Sequence, residues 1–359
     1  LIRVLVDENI PIPDAISGAD IELRRCSGRD IKAADLLDTD ALLVRSVTQV
    51  GRRLLSNTQV RFVGSATAGF DHLDIDYLNQ ADIGYYYAAG SNANSVVDYV
   101  LSCLAVLSVD PRERSLGIVG CGQVGGRLYR RMQHLNVQCS CYDPFLSSSD
   151  QPDLFDLDKV LRSDILCLHT PLTKSGPYPT ENMIGYQQLM QLPEGAVVIN
   201  AGRGGVINEE DLKRVVTHRP DMHLVMDVWQ GEPHIDMEVL DLCEIATPHI
   251  AGYAAPAKLR GSQMVFEKMF EYFGIGGYKN LTVQPSSKES TADDSWNRAV
   301  LNVYDPRVDD ALLRADRVRN FDQLRKNYPM RLEIADYVSE SETLQKFGFS
   351  KADNPMDIS

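Results

Sequence analysis

The chain has 359 residues, a length that favours two or three domains over one. Its formal charge of −14 and pI near 5.0 set an average field that repels phosphate surfaces, which argues against nucleic-acid and anionic-membrane partners. Seven cysteines, odd in number and mostly scattered through apolar runs, read as free thiols in a reducing compartment, and a cytoplasmic location with neither membrane span nor secretory signal is expected.

Residues 1–91 form a first α/β unit in which Arg3–Val6, Ala41–Val44 and Arg61–Val63 are short, buried-type strands separated by polar segments. Two of these runs end in polar clusters: Arg45-Ser46-Val47-Thr48, and the stretch from Gly64 through Thr67 to Asp71-His72. Polar groups beyond the carboxyl ends of parallel strands are where α/β folds bind ligands. His72 either contacts substrate or caps a helix. From Asn92 to Leu107 an almost wholly apolar segment of helical length, with Asn94 or Ser95 placed as its cap, predicts a buried connecting helix.

Leu116–Asp143 carries the strongest local signal. The apolar run Leu116–Val119 turns through Gly120, Gly122 and Gly125 in a G-x-G-x-x-G spacing, continues with helix formers, and reaches a second strand ending in Asp143. The first glycine permits the tight turn, the second lets backbone approach a pyrophosphate, and the third lets helix pack on strand. The free N–H groups of the helix N-terminus, at Gln123 and Val124, suit phosphate, and Asp143 stands where an acid would bind ribose hydroxyls. Cys139 and Cys141 alternate on one face of that second strand, but no further Cys or His clusters near them in sequence, so no metal site is expected.

Four later strand runs each end in a polar group: Ile165–Leu168 before His169-Thr170, Ala196–Ile199 before Asn200 to Arg203, Leu224–Met226 before Asp227 to Glu232, and Glu244–Ala246 before Thr247 to Tyr253. Parallel strands bring all these ends to the sheet edge where the glycine loop puts a cofactor. Oxidising an alcohol with a nicotinamide needs a base for the hydroxyl proton, a group that tunes the base, and a cation for a neighbouring carboxylate. His249 suits the first task, Glu232 the second and Arg203, with its planar fork, the third. His169 competes as base, yet its place beside Thr170 suits a cofactor-lining role better.

Gly120-Cys-Gly-Gln-Val-Gly125, His169-Thr-Pro, Asn200-Ala-Gly-Arg203-Gly, Asp227-Val-Trp-Gln-Gly-Glu232-Pro and Thr247-Pro-His249-Ile-Ala-Gly, in that order, resemble the D-isomer-specific 2-hydroxyacid dehydrogenase family over residues 1–275. The resemblance implies a doubly wound parallel-sheet NAD-binding domain at 92–253, inserted in a flavodoxin-like substrate domain at 1–91 and 254–280, with a small α/β C-terminal dimerisation domain at 281–359. It assigns Asp143, Thr170, Asp227 and Gly252 to NAD, Ser46, Thr67 and Tyr253 to substrate, and Arg203, Glu232 and His249 to catalysis.

Passages around Arg45-Ser46, Thr67, Tyr253 and the tail narrow the resemblance to a branch that oxidises a phosphorylated 2-hydroxyacid, 4-phospho-D-erythronate. Other D-2-hydroxyacids, or a binding protein that senses NAD(H), are the alternatives. In the tail, Trp296–Val303, Phe321–Asn327 and Thr343–Phe347 look helical and Arg331–Val338 looks like a strand, after a polar stretch Pro285–Asp294. A homodimer is expected, with Arg45 and Ser46 on the substrate phosphate. Among Arg307, Arg325 and Arg331, the last is the best candidate to reach that phosphate from a partner subunit, the alternative being a solvated surface role.

Overall fold

The structure is a computed structural model that describes residues 1–13, 20–276, 295–315, 320–338 and 341–349. The described residues of Leu1–Asn92 and Ala254–Ser286 make one compact unit, and those of Ala93–Tyr253 and Ser287–Ser359 make another. The expected boundary near residues 280 and 281, and the polar stretch 285–294, lie outside the described residues.

The first unit holds five parallel strands, β1 (Ile2–Asp7), β2 (Ile21–Cys26), β3 (Ala41–Val44), β4 (Phe62–Ser65) and β5 (Gly84–Tyr87), in the order β2-β1-β3-β4-β5. That is a flavodoxin-like order. Every residue of β3 and β4 is buried, as continuous apolar runs must be when both faces of a parallel sheet are covered. The edge strand β2, Ile-Glu-Leu-Arg-Arg-Cys, was not among the expected strands because its charged positions face solvent. Helix Ala255–Phe273 returns to this sheet, packing Val265, Phe266 and Met269 with Val4, Val6 and Leu43.

The second unit holds six parallel strands, β6 (Leu116–Val119), β7 (Cys139–Tyr142), β8 (Ile165–Leu168), β9 (Val197–Asn200), β10 (His223–Met226) and β11 (Ile245–Ala246), in the order β11-β10-β9-β8-β6-β7. The strand order reverses between β6 and β8, and such a switch point opens a crevice at the carboxyl ends. The connecting helix is Ala93–Val106, and all its residues but the last are buried. It starts ahead of the expected cap: Asn94 and Ser95 lie inside it, where Asn94 accepts from Arg127 and Ser95 donates to Glu333.

The described tail is helical, with Trp296–Val303, Pro306–Ala315, Phe321–Lys326 and Glu342–Lys346. The strand expected at 331–338 is absent: Ile334–Asp336 is a 3-10 turn in which Asp336 accepts from the Glu333 amide. With no neighbouring strand to pair it, this alternating segment satisfies its backbone locally and against the nucleotide unit. Trp296, Val300, Ile334 and Phe347 share one hydrophobic cluster with Tyr99, Leu104, Leu116 and Met132, and Leu313 and Phe321 join the cluster on the other side of the sheet.

Candidate active site

At the switch point the glycine loop has the shape its spacing predicts. Gly120 has φ +88°, and a β-carbon at Gly125 would collide with the Gly120 carbonyl, whereas one at Gly122 would meet nothing. Gly122 and Gln123 are exposed, and helix Gln123–His134 begins directly after the turn, so its first amides stand open to an anion. Asp143 lies just past β7, where Oδ2 accepts the Cys121 amide at 3.0 Å and Oδ1 the Phe145 amide at 3.1 Å. Each oxygen keeps a further lone pair for a ribose hydroxyl.

Thr170 packs its methyl group over Gly120, and its buried hydroxyl has no hydrogen-bond partner among the described residues. The same holds for both ring nitrogens of His169, which are shielded although the residue as a whole is half-buried. Burial pulls that imidazole down to about 4, so it is neutral at physiological pH. Unsatisfied polar atoms beside an open glycine turn and the Asp143 carboxylate fit a dinucleotide. The exposed rings of Phe145 and Tyr178, T-shaped at 5.5 Å, border Asp143 and were not anticipated, because an aromatic in a polar loop carries no periodic signal.

Three loops on the same edge interlock. After β9 the Asn200 side chain takes the Gly202 amide at 3.3 Å and donates to the Arg203 carbonyl at 3.2 Å. Arg203 is half-buried, and its Nη1 donates to the Gly202 carbonyl at 2.9 Å. A β-carbon on Gly204 would collide with the Trp229 carbonyl, so this turn lies directly on the loop after β10. The Trp229 indole donates to the Thr247 carbonyl at 3.0 Å, which ties that loop to the one after β11. Glu209 takes the Gln230 amide at 2.7 Å, and burial raises its carboxyl to about 7.

His249 sits where these loops meet, and its Nδ1 lies 2.8 Å from Glu232 Oε2. A carboxylate only accepts, so Nδ1 carries the proton and the neutral ring presents Nε2 as its basic nitrogen. Burial pushes the Glu232 carboxyl up, but the facing His249, the bond between them and the Trp229 amide on Oε1 outweigh it and hold the group below its ordinary range. His249 has φ 55°, a left-handed conformation uncommon for a side chain of this size.

Asp227, assigned to NAD by resemblance, is buried and accepts from Thr247 Oγ1, the Ile250 amide and the Ala251 amide at 2.7, 2.7 and 2.9 Å. Thr247 is bonded in turn to the Tyr99 hydroxyl at 2.8 Å. Gly252 and Tyr253 are half-buried in the turn that follows.

In the first unit, Arg45 and Ser46 follow β3 and Thr67 follows the neighbouring β4. Thr67 Oγ1 lies 2.8 Å from Ser65 Oγ, which lies 2.9 Å from Nε2 of buried His72. His72 therefore orients a hydroxyl pair rather than capping a helix; the cap of Ile75–Gln80 is Asp74.

Arg331 requires a correction. It is buried in its own subunit, its Nη2 donates to the Ala251 carbonyl, and its guanidinium lies 4.1 Å from the Tyr304 ring centroid. It is therefore not presented to a partner subunit's phosphate. Sequence alone does not show which surface an arginine following Tyr328-Pro329 faces.

Residues 101–251 match the family described as D-isomer specific 2-hydroxyacid dehydrogenase, NAD binding domain, and residues 279–348 match a domain of unknown function (DUF3410). The erythronate-4-phosphate dehydrogenase of Teredinibacter turnerae is 43% identical over 93% of this chain and 94% of its own length. That of Pseudomonas putida is 42% identical over 92% and 93%. The chain belongs to the D-isomer specific 2-hydroxyacid dehydrogenase family. NAD is its cofactor. Among solved structures, the fold is shared with NAD-bound 3-phosphoglycerate dehydrogenase of Entamoeba histolytica, with TM-score 0.64 and 23% identity over 76% of this chain and 95% of that one. D-lactate dehydrogenase of Aquifex aeolicus is similar too, with TM-score 0.61 and 21% identity over 76% and 96%.

Proposed function

We propose that this chain oxidises the 2-hydroxyl of 4-phospho-D-erythronate to (R)-3-hydroxy-2-oxo-4-phosphooxybutanoate, a step of pyridoxal 5′-phosphate biosynthesis. The reading is carried by the His249–Glu232 pair, set on the sheet edge that bears the glycine loop, in a chain 43% identical to an erythronate-4-phosphate dehydrogenase over nearly its whole length. NAD, when bound, accepts hydride from the carbon that bears the hydroxyl. The glycine loop, Asp143, Thr170 and Gly252 would hold it, with Asp227 toward its nicotinamide side.

His249 Nε2 takes the hydroxyl proton and returns it in the reverse direction. Glu232 fixes the tautomer that leaves Nε2 basic and stabilises the imidazolium as it forms. Arg203 grips the substrate carboxylate with its fork and stabilises negative charge on the neighbouring oxygen. Ser46, Thr67 and Tyr253 contact the substrate, and Arg45 serves its phosphate.

The same reading includes a homodimer in the cytoplasm, with domains at 1–91 plus 254–280, 92–253 and 281–359. Support for self-association comes from helix Pro306–Ala315, where Val308 and Leu312, four residues apart and so on one face, are 61% and 47% exposed. A double Val308→Glu, Leu312→Glu variant is expected to halve the mass in solution; an unchanged mass rejects that face as the contact.

The function is tested by NADH formation from 4-phospho-D-erythronate, D-erythronate, 3-phospho-D-glycerate and D-glycerate. The phosphorylated erythronate is expected to lead in kcat/KM. Equal efficiency with 3-phospho-D-glycerate rejects the substrate.

A further inference from the structure

The tail touches β11, the residues just before it and the loop just after it, at points on both sides of His249. Upstream, Asp310 Oδ1 accepts the Ala246 amide at 2.8 Å, and Arg314, bonded to Asp310 at 2.9 Å, donates to the Cys243 carbonyl at 2.7 Å. Downstream, Arg331 donates to the Ala251 carbonyl. The Tyr328 ring stands edge-on to the Tyr253 ring, with centroids 5.7 Å apart and planes at 85°.

We propose that the tail is a positioning element for the catalytic loop of its own subunit, acting through Arg331, Tyr328 and Asp309 to fix residues 249–253. The proposal gives a role in cis to a segment that matches a domain of unknown function, and it rests on the catalytic assignment of His249 above.

A non-glycine residue in the left-handed region is strained and persists only where its surroundings over-determine it. Asp227 supplies half of that constraint by holding the amides of Ile250 and Ala251. Amides alone leave the peptide free to tilt about the line of those bonds. The Ala251 carbonyl, pinned by Arg331, and the Tyr253 ring, stopped by Tyr328, remove that freedom.

Arg331 is itself held in place. Tyr304 lies under its guanidinium, its Nη1 is 3.3 Å from the Tyr328 hydroxyl, and Asp309 Oδ2 accepts from both Tyr304 and Tyr328, at 2.8 and 2.9 Å. A buried guanidinium is expensive to desolvate, and a shorter apolar side chain would fill the same space. The distinctive thing this one does is bind a backbone carbonyl two residues from the catalytic histidine. Arg331, Tyr328 and Asp309 act through the Ala251 carbonyl and the Tyr253 ring, so they are positioning residues.

The test compares full-length Arg331→Met, Arg331→Lys and Tyr328→Phe with the parent. Misplacing a base by about 1 Å costs on the order of 10²-fold, so Arg331→Met is expected to lose about ten- to hundred-fold in kcat. Arg331→Lys, which keeps a donor, should recover part of the loss. Amide hydrogen exchange in the peptide covering 246–253 should accelerate in Arg331→Met while β8 and β9 stay protected.

A kcat within twofold of the parent, or a slower enzyme whose 246–253 exchange is unchanged, overturns the proposal. If Arg331→Met does not fold, Tyr328→Phe decides by the same two readouts, because it keeps the ring against Tyr253 and removes only the hydroxyl. A parent chain that forms no NADH from 4-phospho-D-erythronate rejects the substrate reading instead, and the exchange measurement then decides the brace alone.

Discussion

Asp227 and Thr247 lie at the ends of adjacent strands, β10 and β11, and are joined by a 2.7 Å hydrogen bond from the Thr247 hydroxyl to the Asp227 carboxylate. The same carboxylate takes two amides just beyond His249, so an acid on one strand dictates the path of the loop that carries the base on the next. Asp227→Asn keeps the size but turns one acceptor into a donor facing N–H groups. Each buried group left unsatisfied costs about 1–3 kcal/mol. A lowered melting temperature and a reduced kcat are expected, checked by calorimetry and steady-state rates; an active variant of parental stability contradicts this placement.

His249→Ala is expected to lose about 10²–10⁴ in rate, the usual share of a positioned acid–base group. Glu232→Gln removes the charge that favours the protonated ring, so the acidic limb of the kcat/KM profile should move to lower pH. A profile that stays in place shows that Glu232 orients without tuning.

Gly204→Ala probes the interlock between loops. The new methyl group has to displace the Trp229 carbonyl, and overpacking of this kind costs about 1–3 kcal/mol. Because Arg203 and Glu232 flank the contact, kcat/KM should fall further than stability alone explains. Rates measured well below the variant's melting temperature separate the two effects.

Asp143 predicts the choice of cofactor. A ribose 2′-phosphate would meet its carboxylate, and residues 144–150 supply no arginine to offset the charge. NAD should be strongly preferred to NADP, and Asp143→Ser should narrow the ratio of their kcat/KM values. Equal use of both cofactors by the parent removes Asp143 from that role.

Asp98 gives a pH dependence. Burial and the nearby Glu333 raise its carboxyl to about 8, against the Ile334 amide at 2.8 Å and the charges of Arg131 and Arg331. A raised carboxyl favours the folded state most below its unfolded value near 4, and that contribution is lost as pH climbs through about 8. The melting temperature should therefore decline between those limits, and Asp98→Asn, which keeps an acceptor for Ile334, should flatten the decline.

The polar ends of β6, β8, β9 and β10 were legible because each follows a largely apolar run, which a parallel sheet buried on both faces requires. Glycine spacing marked the cofactor turn for a similar reason, since backbone collisions leave few alternatives at Gly120 and Gly125. What the sequence hid depends on partners far along the chain. The edge strand β2 and the helix Pro306–Ala315 were not anticipated because much of their surface is exposed and polar. Arg331 was read as reaching a partner subunit or solvent because an arginine two residues past Tyr328-Pro329 reads the same whether it faces outward or toward the Ala251 carbonyl. Ser95 resembled a helix cap until its partner proved to be Glu333.

That last bond spans 238 residues of sequence, and the apolar helix Ala93–Val106 is covered in part by Trp296, Val300 and Ile334. Contacts of such separation carry a large loop-closure cost before they are rewarded, and they slow folding. Synthesis proceeds from the N-terminus, so this helix waits with a greasy flank uncovered while some two hundred residues are still being added. The contacts that brace the loop of His249 thus become available only when the tail has been made, and until then the uncovered flank of this helix is what most needs protection from neighbouring chains.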